Sequence, residues 1–193
     1  EAGTKYAIGV GSGTDAIRLC LKAIGIGEGD EVITTAYTFY ATVGAIATTG
    51  AKPILVDIND DYNINPKEIV KKITKKTKAI VPVHWSGRPC DMDTLEKISM
   101  DFKIPVIEDA CHALQAEYFG KRCGSFGNAG CFSFHPLKNL NVWGDGGIVT
   151  TNDEDLKNKL KLIRNHGLIN RDVCQEFAYN SRLDTIQAVV AKY

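Results

Sequence analysis

The sequence predicts an α/β fold, a three-layer sandwich with a mainly parallel central sheet, and three observations carry that prediction. Short apolar runs alternate with stretches of helical periodicity from the first residues onward. The runs KAIVPVH (78–84) and PVIEDA (105–110) are mostly hydrophobic rather than alternating, as strands covered on both faces are. No internal repeat, low-complexity tract or linker interrupts the series.

The elements follow in order. Tyr6–Val10 is a strand that ends in Gly11-Ser12-Gly13-Thr14. Ala16, Ile17, Leu19, Cys20, Leu21 and Ile24 recur with helical spacing, and Gly25 and Gly27 stop that helix. Glu31–Thr35 reads as a strand, 39–49 as a helix of small residues closed by Gly50, and 53–58 as a strand running into the Asp60-Asp61 loop. Pro66 opens a helix over 66–73, a position where its missing N–H costs nothing. Asp91–Phe102 is helical and separates the two apolar runs named above. Beyond Ala116, glycines at 120, 124, 127 and 130 punctuate short strands, among them 130–136 and 147–151. Asn152-Asp153-Glu154-Asp155 supplies a cap and an acidic first turn for a helix to about His166. A polar segment, 168–181, precedes a last helix from near Leu183.

A length of 193 residues fits one domain, or one plus a fragment, with 44% hydrophobic residues to fill a core. Lys+Arg 23 balances Asp+Glu 23, which argues against nucleic acid or a membrane surface as partner. No apolar run reaches the ~20 residues a membrane span needs, and the first residues are not signal-like. The six cysteines are scattered without a CxxC pair. They read as reduced, mostly buried thiols, which disfavours a disulfide framework or a zinc cluster and places the chain in the cytoplasm.

Three features can carry chemistry. Gly9-Val10-Gly11-Ser12-Gly13-Thr14 joins a strand to a helix, where glycines admit a ligand and free N–H groups favour an anion. Thr14 stands where a dinucleotide fingerprint needs glycine, and no GK[ST] follows; a phosphate site and a plain tight turn fit this loop equally. Asp109 ends an apolar strand, on the side of a parallel sheet where ligands bind, although a helix cap or surface acid is the alternative. Lys138 follows the aromatic strand CFSFHP and precedes Gly144, Gly146 and Gly147; its neighbourhood is apolar rather than charged, unlike that of an ordinary surface lysine. Desolvation would let such an amine lose its proton and form a Schiff base. An anion cradle, an acid for a pyridine nitrogen and an amine for an aldehyde together make the set that pyridoxal 5'-phosphate requires.

At these residues the sequence resembles the DegT/DnrJ/StrS family of sugar aminotransferases, within fold type I of the pyridoxal phosphate enzymes. The matching segments are 11–16 (GSGTDA), 38–42 (TFYAT), 108–113 (EDACHA), 133–139 (SFHPLKN), 144–147 (GDGG), 164–167 (RNHG) and 182–188 (RLDTIQA), collinear over nearly the whole chain. The resemblance implies that Lys138 forms the Schiff base and shuttles the proton, and that Asp109 keeps the pyridine nitrogen protonated. It implies that Gly13 and Thr14 bind the phosphate through backbone amides with help from the Ser133 hydroxyl. Phe39 would stack on the ring, and His112 would lie beside it. Asn180 would reach the cofactor of the neighbouring subunit in a homodimer with shared sites. The amino donor would be glutamate and the acceptor a keto group on a nucleotide-linked sugar. Family members run to roughly twice this length, so residues 1–193 would be the cofactor-binding large domain of fold type I, without the N-terminal helix and the small C-terminal domain.

Two positions depart from the family pattern: Ala178 replaces a usual glycine and Ser181 a usual aromatic residue, which bears on Asn180 most. Trp85 belongs either to the core, the favoured reading, or to the substrate pocket. His84, His135 and His166 read as structural, and Arg182 as a surface charge or the partner of an acid such as Asp184. Two other functions compete. A sugar dehydratase of the same superfamily carries histidine in place of the lysine, against Lys138. A non-catalytic regulatory protein that kept the fold would be expected to lose the lysine or the acid.

Overall fold

The computed structural model describes residues 2–193. Its strands are β1 (Tyr6–Val10), β2 (Glu31–Thr35), β3 (Lys52–Val56), β4 (Thr77–Val81), β5 (Ile107–Asp109), β6 (Glu117–Tyr118), β7 (Lys121–Arg122), β8 (Ala129–Ser133) and β9 (Gly147–Thr151). The helices are α1 (Gly13–Ala23), α2 (Tyr40–Ala47), α3 (Pro66–Lys72), α4 (Met92–Phe102), α5 (Glu154–Ile163) and α6 (Thr185–Lys192).

Two ladders, β3-β2-β4 and β1-β9-β8-β5, are joined by parallel bridges between Ile80 and Val106 and between Val83 and Asp109. The result is one sheet in the order β3-β2-β4-β5-β8-β9-β1. Only β9 runs against its neighbours β8 and β1, so the expected mainly parallel sheet is present. The exception has a simple cause: residues 134–146, between β8 and β9, contain no crossover helix, and parallel neighbours need one.

Alternate residues of single strands enter different cores, which explains the continuous apolar runs. Val32, Ala79, Val81 and Cys131 pack with α1, α2 and α5 on one face. Ile33, Ile80 and Val106 pack with α3 and α4 on the other. Covering helices therefore flank the sheet in three layers.

Caps fix the helix starts. Ser12, Asn65, Asp91 and Asp153 each accept a backbone N–H of the following turn, as the Ser/Asn/Asp positions lead one to expect. Helix α2 starts one residue later than predicted, with Phe39 as its extended N-cap. Helix α6 begins at Thr185, and none of its residues is buried. It is tied to the glycine-rich turn before β9 by the Gln187 side-chain amide, which donates to the Asp145 carbonyl at 2.7 Å. All six cysteines are free, and no helix is long and apolar enough to cross a membrane among the described residues.

Candidate active site

A cleft of about 950 Å³ opens at the carboxyl ends of β1, β5 and β8. In a sheet of this kind that end is where a ligand is received. Gly13, Thr14 and Phe39 line it, and so do Asp109, His112, Ser133 and Lys138. Seven of the eight residues singled out from the sequence thus share one cavity.

The anion end is built from β1 and the start of α1. The Ser12 hydroxyl accepts the Asp15 amide at 3.0 Å, which caps the helix and leaves the amides of Gly13 and Thr14 without an intrahelical acceptor. Gly13 is required here by space. A Cβ on it would fall 2.7 Å from Ser133 Cβ and 2.8 Å from Cys111 Sγ, so only glycine lets the helix mouth sit on the cleft floor. A Cβ on Gly147 would meet the Ser12 carbonyl at 2.4 Å, which packs β9 against the same loop.

The acid end is β5. Asp109 is 5% exposed, and its carboxylate is compensated by hydrogen bonds. Thr42 Oγ1 donates to Oδ2 at 2.7 Å and the Cys111 amide to Oδ1 at 3.2 Å. Because Thr42 spends its proton on Asp109, the Thr38 hydroxyl 2.8 Å away is the donor to Thr42. Burial, with the Asp109 carboxylate beside it, pushes the Cys111 thiol up, which favours its neutral form.

Lys138 sits in the turn after β8, with its amide donating to the His135 carbonyl at 2.8 Å. His135 Nδ1 accepts the Leu137 amide at 3.2 Å, so this histidine holds the turn, as expected. Burial and the nearby Lys138 ammonium both lower the His112 pKa, and Asp109 opposes them; the imidazole is the favoured neutral form.

Other expectations resolve as follows. His84 is a fully buried structural group: its Nδ1 accepts the Cys90 amide at 3.1 Å and its Nε2 lies 3.0 Å from Glu108 Oε2. His166 bonds only through its backbone; its amide donates to the Tyr179 carbonyl at 2.7 Å. Arg182 donates to Asn165 Oδ1 at 3.2 Å rather than pairing with Asp184. Trp85 lines the cleft and is half-buried, so the favoured core reading gives way to the pocket reading. It opens the tight turn Trp85–Gly87 that follows β4.

Asn180 does not line the cleft. It is exposed and pairs through its backbone with Asn165. The neighbouring Ser181 is 2% exposed, and its hydroxyl accepts the Gly11 amide at 2.9 Å while donating to Asp15 Oδ2 at 2.6 Å. Ser181 is thus a polar latch onto the anion loop. Sequence reasoning missed Ser181 and Thr42 as site residues. Thr42 was legible only as the last residue of the matching segment 38–42, without a role of its own.

A parallel-sheet cleft holding a helix mouth, a buried acid and a lysine is the arrangement of a fold type I pyridoxal phosphate enzyme. The sequence matches the DegT/DnrJ/EryC1/StrS aminotransferase family over residues 2–192, and the chain belongs to that family. It is 48% identical over 187 residues to a protein of Geobacillus stearothermophilus named pleiotropic regulatory protein, covering 96% of this chain and 50% of that one. It is 45% identical over 192 residues to the UDP-N-acetyl-3-dehydro-alpha-D-glucosamine 3-aminotransferase of Acidithiobacillus ferrooxidans, covering 99% and 52%. The crystal structure of NtdA from Bacillus subtilis with bound cofactor PMP superposes with a TM-score of 0.91 at 38% identity, covering 98% of this chain and 44% of that one. The chain spans about half the length of the curated relatives it matches.

Proposed function

We propose that this chain is the cofactor-binding part of a pyridoxal phosphate-dependent aminotransferase that moves an amino group, from glutamate, to a keto group of a nucleotide-linked sugar. The observation that carries the reading is the convergence of Asp109, Lys138 and the mouth of α1 on one cleft. The donor set fits the cofactor. Asp109 has lone pairs beyond the two hydrogen bonds it accepts, enough for a pyridinium N–H. Ser133 Oγ accepts the His135 amide at 3.3 Å, so its own proton is free for a phosphate oxygen beside the Gly13 and Thr14 amides. When bound, pyridoxal phosphate supplies an electron sink for the carbon that loses or gains the amino group.

The chain's own residues do the rest. Asp109, held in orientation by Thr42, would keep the ring nitrogen protonated. Phe39 and His112, on the cleft wall, would flank the ring. Lys138 would hold the cofactor's aldehyde and move the proton to and from the substrate carbon as a general acid–base. Asn180 lies outside its own cleft and serves the phosphate of a second copy in a homodimer; Ser181 fixes its place relative to the anion loop. The cytoplasm is the compartment that fits the six free thiols. The regulatory name of one relative favours a non-catalytic reading, and retention of both Lys138 and Asp109 in the cleft weighs against it.

The test is a two-step reaction of the reconstituted protein. Glutamate should bleach the yellow cofactor and release 2-oxoglutarate, and a keto-sugar nucleotide should restore the colour. Absence of 2-oxoglutarate would contradict the reading.

A further inference from the structure

The turn after β4 is unusual. Ser86 adopts φ 51° and ψ 25°, and Gly87 follows at φ 83°. Left-handed backbone costs a non-glycine residue about 1–2 kcal/mol, so the surroundings must impose it. They do. A Cβ on Gly87 would lie 3.0 Å from the His112 carbonyl. Asn63, 1% exposed, accepts the Trp85 amide at 3.2 Å and donates to the carbonyls of Pro89 at 2.9 Å and Arg88 at 3.3 Å. Asn63 itself follows Tyr62, another left-handed residue at φ 66°.

Two strained turns therefore interlock, and together they hold an aromatic row. The Trp85 ring is 4.9 Å from Tyr37 and 5.4 Å from His112, edge-on to both at 62°. Tyr37 continues the row to Tyr62 at 5.5 Å. Trp85 makes its hydrogen bonds to described residues through the backbone, so the indole N–H is left for whatever fills the cleft. Phe39 and His112 are the rings assigned to the cofactor. Trp85 lines the same cleft with its ring against that of His112.

We propose that Trp85 is the specificity-determining wall for the sugar: its indole takes the apolar C–H face of the hexose in a pyrimidine-nucleotide-linked sugar. This rests on the function proposed above. A pyranose presents a face of weakly positive C–H groups to the negative face of an indole. Glutamate has no such face, so Trp85 serves only the sugar half of the reaction.

The experiment uses the holoenzyme in a Trp143→Phe background, which leaves Trp85 as the lone tryptophan of residues 1–193, since these hold two. Trp143 does not line the cleft. UDP-N-acetylglucosamine and dTDP-glucose are the probes, by tryptophan fluorescence and calorimetry, alongside the rate of cofactor bleaching by glutamate. At least one probe should quench Trp85 saturably. Trp85→Leu should bind that probe about tenfold more weakly, and Trp85→Phe should restore most of the affinity. Equal affinity in Trp85→Leu, or binding of neither probe to the parent protein, would overturn the inference. Failure of glutamate to bleach the parent protein would instead strike the proposed reaction, while the affinities still decide the role of Trp85.

Discussion

The Thr42 hydroxyl donates to Asp109 across 2.7 Å, joining the first turn of α2 to the carboxyl end of β5 over 67 residues of chain. The bond fixes the carboxylate that the cofactor's ring nitrogen would meet. Asp109→Asn should retain cofactor but lose ~2–4 kcal/mol of transition-state stabilisation, a ~30–1000-fold fall in turnover. Thr42→Val removes one donor worth ~1 kcal/mol, so its turnover should fall only about fivefold. Turnover of Asp109→Asn within about twofold of the parent would show that Asp109 is not the ring's partner.

Glu108, next to Asp109 and fully buried, should be the costliest carboxylate to remove. It accepts the amides of Gly124, Phe126 and Gly127 at 2.6, 2.7 and 2.8 Å and faces His84 Nε2. Since His84 Nδ1 accepts the Cys90 amide, Nε2 carries a proton toward Glu108. Glu108→Ala strands all four groups and should cost ~3–5 kcal/mol in urea unfolding. A loss under about 1 kcal/mol would contradict this arrangement.

The strands, the capped helices and most of the cleft residues were legible in the sequence because they rest on local signals. Apolar runs, cap residues and glycines act over a few positions. The connections that finish the site are long-range and were not legible. Ser181 reaches Gly11 over 170 residues, and Thr42 reaches Asp109 over 67. Trp85 misled for a related reason: an indole beside an apolar strand looks like core until the fold places it on the cleft wall.

His112 gives a pH signature. Burial and the Lys138 charge disfavour its imidazolium in the folded, cofactor-free protein, so its NMR titration midpoint should fall below the ordinary ~6.5. The unfolded chain then takes up a proton first as pH drops, so His112 erodes stability from about pH 6.5 downward and is neutral above it. A midpoint at or above the ordinary value would show that Asp109 outweighs both effects.

Shared sites can be tested by complementation. Lys138→Ala and Asn180→Asp, each inactive alone, should recover part of the activity when refolded together, because one site of a mixed dimer carries neither lesion. Mixed dimers confirmed by mass but without activity would place Asn180 in its own subunit's site or in none.

The central claim is that Lys138 holds the cofactor. Borohydride reduction of the reconstituted protein, followed by peptide mass mapping, should place the trapped adduct on Lys138 alone. Lys138→Ala should give no adduct, no yellow absorbance and no transamination. An adduct mapped to another lysine, or an unchanged yellow spectrum in Lys138→Ala, would contradict the account.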